Sequence, residues 1–171
     1  ILEVMQHANC FVDRRGATVL LKDVNIDSEI RINAYLAVMR CPSTQVLEMI
    51  STLLNSEPVN QVGSFIYTHL TNLQETSSPF KQQVKHILQT TILKKEFKLD
   101  NLKYSRNIEK SFFSIDKNIG TQLESNLIWS QDSFLPRSAS LNASVDLYGR
   151  SVNLFEIKAR LEGAEKVLKK F

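Results

Sequence analysis

The stretch Ala139-Ser140-Leu141-Asn142-Ala143-Ser144-Val145-Asp146-Leu147-Tyr148 decides how the chain is read. Ala139, Leu141, Ala143, Val145 and Leu147 alternate without a break against Ser140, Asn142, Ser144 and Asp146. A period of two places the first set on one face of an extended strand and the second set on the other. Gly149-Arg150 follows as a tight turn, glycine being the residue that tolerates positive φ. The return run carries Phe155, Ile157, Ala159 and Leu161 on one face. Upstream, Ile119 to Trp129 repeats the pattern less strictly, with Ile119, Leu123, Leu127 and Trp129 set against Gln122, Glu124 and Asn126. Strands in sequence with short links predict an antiparallel meander, apolar on one face and polar on the other.

Towards the N-terminus the period changes near residue 98. Up to about Leu93 the apolar residues recur at helical intervals, separated by capping residues. Asp27-Ser28-Glu29 opens a helix, with acidic charge at the positive end of its dipole. The run from Ile30 to Met39 is apolar round most of its circumference, which predicts burial on more than one side. Cys41-Pro42 ends it, because the residue before proline is pushed out of the helical region. Ser43 caps a second helix bearing Val46, Ile50, Leu53 and Leu54. Ser56-Glu57-Pro58 opens a third with Val62, Phe65, Ile66, Leu70 and Leu73, and Ser78-Pro79 a fourth with Phe80, Val84, Ile87, Leu88 and Ile92. Proline in a first turn loses no needed donor. An earlier pair fills residues 1–24, turning at Asp13-Arg14-Arg15-Gly16. Short connections make neighbouring helices antiparallel, and the spacing of the pairs suits an α-solenoid.

The predicted class is therefore α+β: the C-terminal part of a two-layered α-helical solenoid over residues 1–97, then an antiparallel sheet over 98–171. The switch is placed between residues 93 and 104, and no α-helix longer than two turns is expected from 105 to 160. Both ends read as cut from a longer protein. Ile1, Val4 and Met5 already sit at helical spacing, and Glu165 to Phe171 stops within an amphipathic pattern.

The 171 residues are 43% hydrophobic and 23% charged, with a formal net charge of +3. Lysines are spread thinly, without the dense basic stripe and aromatic platforms of a nucleic-acid groove. No apolar run approaches the ~20 residues of a transmembrane helix. His7, His69 and His86 lie on separate helical segments without metal-ligand spacing, and read as helix-surface or core-edge residues. With five glycines there is no phosphate-binding loop, and no nucleophile elbow or carboxylate pair can be nominated. The expectation is a protein that is not an enzyme, with no catalytic residue, metal or cofactor. Asn142-Ala143-Ser144 is an N-glycosylation sequon, and Asn142 falls on the polar strand face, where a glycan would stand in solvent.

Several stretches, in one order, carry a resemblance. They are Glu29 to Pro42, Gln61 to Leu73 with Ser77-Ser78-Pro79 after it, and Tyr104-Ser105-Arg106-Asn107. Beyond them come Glu124 to Ile128, Ser133 to Ala139, Val145 to Gly149 and Val152 to Ile157. Together these resemble the large lipid transfer proteins, the family of apolipophorin, vitellogenin and apolipoprotein B, and are most similar to insect apolipophorin. The resemblance spans nearly all of residues 26–163.

It implies a horseshoe of two-layered helices outside antiparallel sheets that enclose lipid, in a secreted glycoprotein of haemolymph or plasma. Phospholipid with diacylglycerol or triacylglycerol is then expected in the full-length protein. Partners would be those lipids, the rest of the same polypeptide and a lipoprotein receptor, without nucleic acid. The candidate lipid-facing residues are Ile119, Leu123, Leu127, Trp129, Leu141, Val145, Leu147, Phe155, Ile157 and Leu161. The same apolar faces would equally serve as a protein core against the helices. A yolk lipoprotein precursor and an α-solenoid interaction scaffold are the other readings. Cys10 and Cys41 match no zinc motif, and composition alone favours buried thiols. In a secreted protein, two cysteines near the ends of stacked helices become candidates for a bridge.

Overall fold

A computed structural model describes residues 1–89, 97, 104–131 and 135–161. The helical half holds α1 (Leu2–His7), α2 (Arg15–Lys22), α3 (Ser28–Met39), α4 (Thr44–Ser56), α5 (Asn60–Glu75) and α6 (Gln82–Gln89). The caps follow from side-chain chemistry. The Asp27 carboxylate accepts from the Glu29 N–H at 2.8 Å, and Ser43 Oγ from the Val46 N–H at 3.2 Å. Each satisfies a donor that the first turn leaves free.

The third helix starts later than Ser56-Glu57-Pro58 suggests. Glu57 turns inward to Arg31, its Oε1 accepts from the Val59 N–H at 3.0 Å, and Pro58 is left in the connection. Pro79 instead opens a single 3-10 turn, Pro79–Lys81, that leads into α6. Phe80 is exposed and so leaves the expected stripe, while Ile92 lies outside the described residues. Gly16 belongs to α2, so the first turn precedes the predicted one.

Helices α1, α3 and α5 pack side by side and face the sheet; α2, α4 and α6 lie against their other side. Nine residues of α3 are buried, as a helix apolar on most sides requires. At the core Arg31 donates to both Glu57 oxygens, at 2.9 and 2.6 Å, and to the Leu21 carbonyl at 2.9 Å. This fixes α3 against α2 and the connection into α5. The same helical core holds Leu21, Ile32, Tyr35, Ile50, Phe65 and Leu70, all fully buried. A Cβ at Gly63 would overlap the Phe97 ring, so glycine lets that ring seat on α5.

The sheet is an antiparallel meander in the order β1-β2-β3-β4. Its strands are β1 (Arg106–Ser114), β2 (Ile119–Ile128), β3 (Ser138–Leu147) and β4 (Arg150–Arg160). Sequence reading left β1 unassigned, because Lys110 and Phe113 interrupt its alternation. The β3–β4 turn is Tyr148-Gly149 rather than Gly149-Arg150, with φ of 47° and 82°. Two positive φ values in a two-residue loop match the twist of the strands that it joins. A bulge between Ala143 and Ser144 leaves Leu154 unpaired in β4. No helix occurs among the described residues from 105 to 160. The predicted switch and the 97/98 junction fall almost wholly outside the described residues, as does the pattern from Glu165 to Phe171.

Candidate functional site

Register sorts the strand residues into two sets. Across β1 to β4, one face carries the rows Asn107-Asn126-Ser140-Lys158, Glu109-Glu124-Asn142-Glu156 and Ser111-Gln122-Ser144-Asn153. The other carries Ile108-Ser125-Leu141-Ile157, Lys110-Leu123-Ala143-Phe155 and Phe112-Thr121-Val145-Val152. Sheets in mixed folds ordinarily turn the apolar face to the helices, which need it to build a core. This one turns the polar face.

The contact is a hydrogen-bonded seam along α5. Asn107 donates from its backbone to Thr68 Oγ1 at 3.0 Å, and Asn72 Nδ2 donates to the Asn107 carbonyl and Oδ1 at 2.9 and 2.7 Å. Asn107 Nδ2 passes the chain on to Glu124 Oε1 and Asn126 Oδ1, at 2.9 and 2.8 Å. Ser64 Oγ donates to the Ser105 carbonyl at 2.9 Å, and Gln122 Nε2 reaches Ser78 Oγ and Asp146 Oδ2, both at 2.7 Å. Ion pairs close the margins: Lys81 with Glu109 at 2.9 Å, and Arg160 with Glu29 at 3.1 Å. Glu109, Asp146 and Glu29 thus each meet a donor through one carboxylate oxygen, which offsets part of the cost of taking them out of water, while Glu109 Oε2 and Asp146 Oδ1 are buried without a partner among the described residues.

The opposite face is uncovered. Phe112, Leu154, Ile157 and Phe155 are 68%, 60%, 59% and 45% exposed. Ile119, Leu123, Leu127, Leu141, Val145, Leu147, Phe155 and Ile157 all share this face by register. Trp129 and Leu161 follow directly on the ends of β2 and β4, at the positions that the alternation of those strands assigns to this face. None of these ten is fully buried. The reading of this surface as a core against the helices is therefore corrected: the helices hold the other side. Ile108, Phe112, Val152 and Leu154 belong to the surface and were missed. Two lie on the unassigned β1, and Leu154 joins through the bulge, which no period of two reveals. A shallow depression of about 340 Å³ lies on this face between Lys110, Phe112, Leu123, Val145 and Leu154.

The expectation for Asn142 is also corrected. Its row faces the helices, its Oδ1 is sealed from solvent, and it lines a crevice of about 450 Å³ with Gln6, His7, Arg40 and Glu156. A polar strand face is not a solvent face when helices dock on it. A second pocket of about 380 Å³, outside α2 and α4, is floored by the Arg31–Glu57 pair, whose charges already satisfy each other.

Cys10 and Cys41 are joined in a disulfide with their Cα atoms 5.7 Å apart, tying the chain after α1 to the end of α3. His69 is a core residue rather than a surface or edge one. Its Nδ1 lies 2.7 Å from the Tyr35 hydroxyl, and burial lowers its pKa to about 4, with Lys81 adding to the effect and Glu109 opposing it. The imidazole is therefore neutral at pH 7 and shares a hydrogen bond with Tyr35, whose hydroxyl burial holds well above its ordinary pKa. Among the described residues no cluster of His, Cys, Asp or Glu could hold a metal, and no helix is long and apolar enough to cross a membrane.

Residues 9–71 match the family model of the vitellogenin TPR domain, and residues 103–171 that of the vitellinogen open beta-sheet. The chain is 46% identical to the apolipophorins of Locusta migratoria over 99% of its own length and 5% of theirs. It is 34% identical to the vitellogenin of Penaeus merguiensis, over 97% of this chain and 6% of that protein. With apolipoprotein B-100 of Homo sapiens the identity is 28%, over 81% and 3%. A solved structure of lipovitellin, described for its lipid-protein interactions, superposes with a TM-score of 0.82 at 24% identity. It covers 99% of this chain and 17% of that one, and shows the same fold. The chain thus spans a small part of the relatives it matches.

Proposed function

The chain belongs to the large lipid transfer protein family, and from that premise we propose that it is a structural segment of a lipid carrier. Its sheet supplies one wall of an enclosure for phospholipid and neutral lipid. The observation that carries this reading is the inverted sheet, which gives its polar face to the helices and leaves a continuous apolar face free. Monomeric soluble proteins seldom expose apolar patches beyond a few hundred Å². Hydrocarbon covers such a face as well as a second protein layer does.

In this reading residues 1–97 close the helical domain, residues 98–171 begin the lipid-flanking sheet, and the segment has no catalytic role. Bound phospholipid, diacylglycerol or triacylglycerol takes the place of a cofactor in the full-length protein. The remaining sheets of the same polypeptide border this one, and a lipoprotein receptor is the partner of the assembled particle. The Cys10–Cys41 bridge supports secretion into haemolymph or plasma, since disulfides persist in oxidising compartments. Identity of 46% with an apolipophorin against 34% with a vitellogenin favours a circulating carrier over a yolk precursor.

Trp129, the sole tryptophan, gives a direct test. Vesicles of phosphatidylcholine brominated in the acyl chains should quench its fluorescence, and Leu123→Asp with Ile157→Asp should abolish the quenching without unfolding the helices. Quenching that is absent, or unchanged in the double variant, refutes hydrocarbon contact at this face.

A further inference from the structure

The charges of the sheet are segregated as completely as its apolar residues. Every strand carboxylate, Glu109, Glu124, Asp146 and Glu156, stands in a row that faces the helices. The apolar face has no acid, yet Arg106, Lys110 and Arg150 stand in its rows. Arg106 is held by the protein: its guanidinium lies 5.5 Å from the Tyr104 ring centroid and donates to the Tyr104 hydroxyl at 3.0 Å. Lys110 and Arg150 are exposed, and so is Lys117 in the β1–β2 turn. None of the three has a carboxylate partner among the described residues.

Their placement is not scattered. The β1–β2 turn and the Tyr148-Gly149 turn lie at the same end of the sheet, joined by the Tyr148 N–H donating to the Asn118 carbonyl at 3.0 Å. Lys117 and Arg150 belong to that end, and Lys110 lies on edge strand β1, roughly 13 Å in from it at ~3.3 Å per residue. Ile115 and Tyr148, 86% and 75% exposed, project from the same two turns. Tyrosine beside long cationic side chains at the border of an apolar surface is the composition that settles at a headgroup layer, with rings at the interface and charged tips in water. Asp116 is the one described carboxylate in these turns.

We propose that Lys110, Lys117 and Arg150, with Tyr148, form a rim that binds the phosphate groups of phospholipids whose chains lie on the apolar face. The turn end of the sheet is then the headgroup end of the lipid layer, and the rim favours anionic phospholipid. This rests on the lipid-contact reading and adds to it an orientation and a lipid class. A surface meeting neutral lipid alone would offer these cations no counter-charge, whereas the phosphate of a phospholipid supplies one at the border where they stand.

The experiment uses the 171-residue chain and chain-brominated phosphatidylcholine vesicles, with and without a minority of phosphatidylglycerol, reading Trp129 quenching. The parent chain should bind the anionic vesicles at least tenfold more tightly, because each cation near such a surface is worth about fivefold. The combined variant Lys110→Gln, Lys117→Gln, Arg150→Gln should lose that preference while still being quenched by phosphatidylcholine. A control with equal charge loss from the helical half, Arg15→Gln, Lys22→Gln, Arg40→Gln, should keep it. No anionic preference in the parent chain, a preference that survives in the rim variant, or equal loss in both variants overturns the rim while leaving lipid contact intact. Absence of quenching by any vesicle removes the lipid-contact reading itself, and the rim with it.

Discussion

Putting leucine into a buried position normally stabilises a protein, and at Asn107 it should do the reverse. Asn107 is 2% exposed and lies between α5 and the sheet. Its side chain accepts from Asn72 Nδ2 at 2.7 Å and donates to Glu124 Oε1 and Asn126 Oδ1 at 2.9 and 2.8 Å. Asn107→Leu deletes all three bonds and leaves two acceptors, one of them a carboxylate, short of a donor. Each orphaned buried group costs about 1–3 kcal/mol. The apolar gain of the new side chain returns roughly 1–2 kcal/mol. Since Glu124 and Asn126 are only half-buried, the net loss should be about 1–3 kcal/mol, a drop of roughly 0.5–1.5 M in the urea midpoint. The mirror change, Ile157→Asn on the open face, should cost less than about 1 kcal/mol despite removing a large apolar side chain. Urea titrations followed by far-ultraviolet circular dichroism and Trp129 fluorescence measure both. If leucine at 107 is neutral or stabilising while asparagine at 157 is the costlier change, the assignment of the two faces is wrong.

Removing the disulfide by Cys10→Ser with Cys41→Ser frees a loop with a sequence separation of 31. By the chain-entropy relation it should lower stability by about 3–4 kcal/mol in thermal melts, as should reductant on the parent chain. His69, with its pKa lowered from 6.5 to about 4, stabilises the fold in its neutral form. The unfolded chain takes the proton first, so stability is full above pH 6.5 and declines towards pH 4 by up to about 3 kcal/mol. His69→Gln should flatten urea midpoints across that window, and an unchanged slope would assign the pH dependence to other groups. Gly63→Ala should displace the Phe97 ring and cost about 1–3 kcal/mol, read by urea unfolding; a neutral result would mean the ring does not need that seat.

The helical half and the later strands were legible because their patterns are local. Asp27 and Ser43 cap the helices they announce, and the alternation from Ala139 to Leu147 becomes β3 nearly residue for residue. What stayed hidden depends on contacts made across the chain. Pro58 resembles a helix start until Glu57 is seen to turn towards Arg31, 26 residues away. Lys110 and Phe113 blur β1 because one stands on the headgroup rim and the other in a row facing the helices. Leu154 counts as out of phase until the bulge opposite Ala143 and Ser144 brings it to the apolar side.

The orientation of the sheet was the hardest feature to read, since alternation says that a strand has two faces and not which one is inside. Yet the polar residues themselves carried a signal. A solvent face ordinarily takes lysine and glutamate, whose long charged side chains stay hydrated. Here the polar rows hold Glu109, Glu124, Glu156 and Lys158, but these are outnumbered by Asn107, Ser111, Gln122, Asn126, Ser140, Asn142 and Ser144, uncharged groups that bond in fixed geometry. Helix α5 bears their counterpart: Ser64, Thr68 and Asn72 at steps of four, on a stripe separate from Val62, Ile66, Leu70 and Leu73. A helix with one apolar stripe and one uncharged polar stripe has two partners, and only the first can be other helices. The second fits a surface of amides and hydroxyls, and the strands offer one. That pairing sends the apolar face outward, and it could be drawn from composition alone by asking which polar residues water does not need.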